Sequence, residues 1–115
     1  MKALIVIPTY NEKANLPSLI PAVLQQDKRI HVLVVDDASP DGTGKLAEQL
    51  KRRHKGRVNV MHRSGKLGLG TAYVAGFKWG LAKGYDVLVQ MDADFSHDPK
   101  ALPAFLDGLD EADVV

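Results

Sequence analysis

Four short apolar runs separated by stretches of helical periodicity confine this chain to an α/β layout, in which βαβ units build a mostly parallel sheet. Ala3–Ile7 is a continuous apolar run suited to a strand buried on both faces. Leu16, Leu19, Ile20, Val23 and Leu24 then recur at helical spacing. Pro17 is acceptable in a first helical turn, whereas Pro21 removes a backbone bond and predicts a kink. His31–Asp36 reads as the second strand and Ser39-Pro40-Asp41-Gly42 as a turn, with Thr43 placed to cap a helix running to about Arg53. Arg57–His62 is a third, more polar strand expected towards a sheet edge. A glycine-rich loop, Ser64–Gly70, leads into a helix ending near Gly84, which suits the left-handed position after a helix end. Tyr85–Met91 is the fourth strand. Asp98-Pro99 reads as an N-cap followed by proline at the first helical position. Leu102, Phe105, Leu106 and Leu109 line one face of the helix that follows, with Pro103 predicting a distortion. Asp113-Val114-Val115 has the look of a fifth strand beginning, so a fragment of a longer protein is expected.

A chain of 115 residues holds one domain at most, enough to bury roughly two thirds of its unfolded surface. The net charge of +1 offers no bulk attraction for nucleic acid or an acidic membrane, and no nucleic-acid partner is expected. The basic run Lys51-Arg52-Arg53-His54-Lys55 fits a solvated helix end, where cations oppose the helix dipole. With no cysteine, disulfides and thiolate ligands are excluded. The N-terminus lacks the longer apolar core of a signal peptide, and no stretch approaches the ~20 apolar residues that span a bilayer. A cytoplasmic segment, soluble or at most peripheral to a membrane, is expected.

In open parallel sheets, ligands bind beyond the carboxyl ends of the strands. Three of the four strands here end in polar clusters: Pro8-Thr9-Tyr10-Asn11-Glu12, then Asp36-Asp37, then Asp92-Ala93-Asp94. One site should therefore receive five carboxylates, a tyrosine and an asparagine. Such a concentration of negative charge is costly unless a cation shares it, and carboxylate oxygens suit Mg²⁺ or Mn²⁺. Asp92 and Asp94, two residues apart in an extended segment, point the same way and fit that role. Asp36-Asp37 is open to a metal role, as in receiver domains, or to base recognition through a ring N–H. Asp41 fits a turn and Asp98 a helix cap. The loop Gly65-Lys66-Leu67-Gly68-Leu69-Gly70 is no Walker motif, and Tyr73 stands where the dinucleotide fingerprint needs its third glycine. Arg63 and Lys66 are candidates to approach a diphosphate from that loop. His97 reads as a polar surface residue, His31, His54 and His62 show no ligand spacing, and Phe77 and Trp79 read as helix packing.

Taken in order, Pro8–Glu12, Val35–Thr43, Lys66-Leu67-Gly68-Leu69-Gly70-Thr71-Ala72-Tyr73 and Asp92–Pro99 resemble family 2 glycosyltransferases, specifically the dolichol-phosphate (polyprenol monophosphate) mannosyltransferase branch. The resemblance covers essentially the whole chain. It implies the Rossmann-like, nucleotide-sugar-binding half of a GT-A fold, a mostly parallel sheet with helices on both faces. Residues 1–115 would form that N-terminal domain, with the acceptor half absent. By motif position Pro8, Tyr10 and Glu12 would line the nucleotide site, while Val35 and Asp37 would contact the base. Asp92, Ala93 and Asp94 would hold ribose, diphosphate and metal. Ser96 occupies a position that in some relatives is a glutamine assisting the metal.

The implied reaction is metal-dependent, inverting transfer of mannose from GDP-mannose to a polyprenyl phosphate. Peripheral membrane association would come from the regions not present. Two further readings stay open: another family 2 transferase using a UDP-sugar, and a non-catalytic nucleotide-binding fragment. A haloacid-dehalogenase phosphatase fits worse, because it carries Asp-x-Asp on its first strand. The chain alone is expected to bind donor weakly and to transfer little sugar.

Overall fold

The computed structural model describes residues 2–65, 67–94 and 98–111, without the side chains of 109–111. In chain order the elements are β1 (Ala3–Thr9), α1 (Leu16–Leu24), β2 (Ile30–Asp36), α2 (Thr43–Arg53), β3 (Val58–His62), α3 (Leu69–Ala82) and β4 (Val87–Gln90). A 3₁₀ turn, Pro99–Ala101, then leads into α4 (Leu102–Glu111). The expected fifth strand falls outside the described residues.

The four strands form one parallel sheet in the order β3-β2-β1-β4. The central pair explains the composition of its strands. Ala3, Ile5 and Ile7 of β1 and Ile30, Val32 and Val34 of β2 face one side, where α1, α2 and α4 supply Leu16, Ile20, Ala47, Leu50 and Leu106. Leu4, Val6, Leu33 and Val35 face the other side under α3. Burial on both faces is why these runs are continuously apolar rather than alternating. The polar third strand lies at an edge, as its sequence suggests. Arg57, just before it, donates to the carbonyls of Leu24, Asp27 and Ile30 and so fastens the connection between α1 and β2.

Several details differ from the expectations. Thr43 is the first residue of α2 rather than its cap, and Gly42, at φ +93°, stands at the cap position. The Thr43 hydroxyl is bonded to Asp41 and accepts from the Glu12 amide, so it ties the α2 entrance to the segment after β1. Helix α1 runs through Pro21 without being divided, since burial of its apolar face outweighs one missing backbone bond. Pro103 falls in the first turn of α4, where its missing N–H has no helical acceptor to lose. Phe105 is exposed rather than part of the buried face, which is carried by Leu102 and Leu106. The fourth strand is shorter than its apolar run, because Tyr85 packs against His31 and Trp79 before pairing begins.

Helix α3 lies unusually close to the sheet, and two glycines permit it. A Cβ at Gly76 would sit 2.5 Å from a Val6 methyl, and one at Gly80 would sit 2.6 Å from a Leu88 methyl. Gly76→Ala gains about 1 kcal/mol of helix propensity, but it must displace a fully buried valine, at about 1–3 kcal/mol. A net loss of up to about 2 kcal/mol is expected, read as a lower urea midpoint at unchanged slope. Gly70→Ala, in the same helix with nothing within 4 Å of the new methyl, should instead hold or raise the midpoint.

Candidate functional site

Parallel pairing brings the ends of β1, β2 and β4 to one edge of the sheet, and a cleft of about 300 Å³ opens there. Pro8, Thr9, Tyr10 and Glu12 come from the end of β1 and the turn after it, and Asp37 from the residue after β2. Gly68 and Leu69 come from the start of α3, while Asp92, Ala93 and Asp94 follow β4. Seven of the residues expected at the nucleotide and metal site therefore share one wall-to-wall space. Val35 does not line it: its side chain is fully buried on the α3 face of the sheet. Ser96, Lys66 and His97 lie outside the described residues.

The two members of the Asp36-Asp37 pair divide their work. Asp36 is nearly fully buried and accepts from the hydroxyls of Thr9 at 2.7 Å and Ser39 at 2.6 Å, and from the Ser39 amide. These bonds hold a turn in which Ala38 takes φ +52°, a conformation costly for a residue with a side chain. Asp36 therefore builds the loop, contrary to its expected place among the cleft carboxylates. Asn11, at φ +58°, likewise serves the turn after β1, its amide donating to Ser39. Among the described residues four carboxylates rather than five line the cleft: Glu12, Asp37, Asp92 and Asp94.

Asp37 projects into the cleft with both oxygens engaged by one guanidinium. Arg63 Nε donates to Oδ1 at 2.6 Å and Nη2 to Oδ2 at 2.8 Å. The pair is about nine-tenths buried on each side, and the bonds to Asp37 raise the Arg63 pKa further. The same guanidinium donates to the Thr71 hydroxyl and the Gly68 carbonyl, while the Leu67 amide reaches Asp37. Arg63 is thus committed to latching the glycine-rich loop onto the end of β2, which corrects its expected role as a cation approaching a diphosphate. The bidentate geometry is strong and specific to arginine.

Tyr73 is the residue that sequence reading missed. Its hydroxyl donates to Asp92 Oδ1 at 2.7 Å, from a ring packed against Phe77 and the α3 face of the sheet. Burial, and then the bond to Asp92, push its phenol pKa well up, so the hydroxyl stays protonated and remains a donor. The signal was faint: Tyr73 stands in the α3 pattern as one more sheet-facing aromatic, and only the tertiary fold brings Asp92 to it.

Among the described residues no three His, Cys, Asp or Glu side chains form a ready-made metal cage. Two carboxylates in one cleft, one already oriented by a tyrosine, nevertheless fit a hard cation that completes its shell with water and phosphate oxygens. Their donor chemistry suits Mg²⁺ or Mn²⁺ rather than a softer ion.

Comparison with known proteins agrees on one family. The family profile described as Glycosyl transferase family 2 matches residues 4–115. The chain is 55% identical over 109 residues to the polyprenol monophosphomannose synthase of Mycolicibacterium smegmatis, covering 95% of this chain and 41% of that one. It is 51% identical over 115 residues to the undecaprenyl-phosphate mannosyltransferase of Micrococcus luteus, covering 100% and 47% respectively. The chain thus spans less than half the length of these relatives. Its fold resembles that of mannosyltransferase PcManGT from Pyrobaculum calidifontis, solved in complex with GDP-Man and Mn²⁺. That likeness has a TM-score of 0.72 at 24% identity and covers 81% of this chain and 27% of that one.

The Arg63–Asp37 pair yields a direct test of the site's framework. Arg63→Met would leave Asp37 without its guanidinium in a mostly dry position, at a cost of about 3–5 kcal/mol by chemical denaturation. Adding Asp37→Leu should recover part of that loss, since no uncompensated carboxylate remains. A double variant that loses the sum of the two single effects would contradict the latch.

Proposed function

This chain belongs to glycosyl transferase family 2 and carries the Rossmann-like sheet of a GT-A fold; we propose that it forms the donor site of a polyprenyl-phosphate mannosyltransferase. The donor in this reading is GDP-mannose and the acceptor a polyprenyl phosphate. The observation that carries it is the convergence of Asp37, Asp92 and Asp94 on one cleft at the carboxyl edge of the sheet. The names of the two curated relatives support the mannosyl and polyprenyl assignments. The fold is one on which GDP-Man and Mn²⁺ have been seen together.

Each group then has a task that follows from its chemistry. Asp37, its carboxylate oriented by Arg63, is suited to accept ring N–H donors of a guanine. Pro8, Tyr10 and Glu12 wall the nucleoside end, and Ala93 keeps the floor between the two aspartates small. Asp92 and Asp94, with Ser96 as a further candidate, would hold a divalent cation. A cation bound there supplies Lewis-acid neutralisation of the diphosphate leaving group. A phosphate monoester acceptor, with a second pKa near ~6, arrives mostly ionised and can attack the anomeric carbon without a general base. The protein's task is therefore alignment and charge balance, and none of the cleft carboxylates is assigned as a base. Among the described residues no helix is long and apolar enough to cross a membrane.

Calorimetric titration with GDP, UDP and their mannose and glucose derivatives, with and without Mn²⁺, tests the reading. Metal-dependent GDP binding that falls at least tenfold in Asp94→Asn is expected. A preference for UDP would move the assignment to a UDP-sugar transferase, and nucleotide binding indifferent to Mn²⁺ and to Asp94 would overturn it.

A further inference from the structure

The side chain that fixes Asp92 belongs to neither the sheet nor the loops that carry the acids. Tyr73 sits one turn into α3 and reaches across to a residue nineteen positions later in the chain. Its ring is held by Phe77, stacked at 6.1 Å between centroids, and by the buried face that includes Val6 and Val35. Helix α3 is itself set at a fixed depth, because the absence of a side chain at Gly76 lets it rest on Val6. Its entrance is set by the bonds from Arg63 to Gly68 and Thr71. The hydroxyl of Tyr73 thus comes from a rigid element and meets Asp92 Oδ1 at 2.7 Å, inside the wall of the cleft.

We propose that Tyr73 is a positioning residue for the cation and diphosphate, setting the orientation of the Asp92 carboxylate from the far side of the sheet edge. The inference rests on the reading of Asp92 and Asp94 as cation ligands. Tyr73 touches neither nucleotide nor metal in this scheme. It acts on the ligand's geometry, in the way that outer partners of metal-binding carboxylates tune affinity. The bond from Tyr73 fixes Oδ1 before the ion arrives, so less of the carboxylate's orientation has to be set on binding.

The test uses the 115-residue chain with Mn²⁺ and GDP as probes. Affinity for Mn²⁺ is followed by calorimetry at saturating GDP, and the paramagnetic resonance spectrum of the bound ion reports its coordination. Tyr73→Phe keeps the ring and its stacking but removes the hydroxyl. Mn²⁺ affinity should fall by about 10- to 100-fold with an altered spectrum, while GDP binding without metal is unchanged. Tyr73→Leu, which does not depend on stacking with Phe77, should give the same loss in a chain whose far-UV circular dichroism is native. Tyr85→Phe serves as the control, since it removes a buried hydroxyl bonded to His31, away from the cleft, and should leave both readouts unmoved. Mn²⁺ affinity within twofold of the parent and an unchanged spectrum in Tyr73→Phe would reduce Tyr73 to packing and overturn the inference alone. A parent chain whose GDP binding ignores Mn²⁺ would instead overturn the reading of the site, and this inference with it.

Discussion

The close seating of α3 on β1 governs much of what happens at the cleft. Val6 and Leu4 occupy space that any side chain at Gly76 or Gly80 would need, so the helix backbone itself becomes the contact surface. Packed interiors transmit such constraints rather than absorbing them. From that depth α3 delivers Leu69 to the cleft lining at its first turn and the Tyr73 hydroxyl to Asp92 one turn later. Gly68, just before the helix, completes that wall. A helix held farther from the sheet would carry the Tyr73 hydroxyl out of reach of Asp92.

Charge is the second organising factor. Four carboxylates on one cleft would repel one another, and the protein treats them unequally. Asp37 is neutralised internally by Arg63, through a pair that also secures the glycine-rich loop. Asp92 takes a neutral donor, Tyr73, which orients it without cancelling its charge. Asp92 and Asp94 bring two carboxylates to one side of the cleft, where a divalent ion would gain from their charge. Asp36, identical in type and adjacent in sequence to Asp37, is spent on holding Ala38 in a left-handed turn.

Much of the layout was legible in the residues because burial on two faces leaves a plain trace. The runs at Ala3–Ile7 and His31–Asp36 are too apolar for any half-exposed strand, and the helical spacing from Leu16 to Leu24 matches one buried stripe. Parallel pairing then dictates that the polar ends share an edge, so the meeting of Tyr10, Asp37 and Asp94 followed from connectivity. The misplacements have a common cause. Asp36, Thr43, Arg63 and Phe105 were judged by residue type and neighbours in sequence, whereas their partners lie up to about thirty positions away or, for Phe105, in solvent.

By itself, then, the sequence determined the sheet, the edge at which the acids gather and the motifs that mark the family, because periodicity and strand direction are properties of local chain order. Tertiary structure decided that Asp37 and not Asp36 faces the cleft. It turned Arg63 from a free cation into a latch, and it brought Tyr73 to Asp92. Those outcomes depend on side chains meeting across elements at distances near 3 Å, and such meetings are set by packing depth, which no single segment encodes.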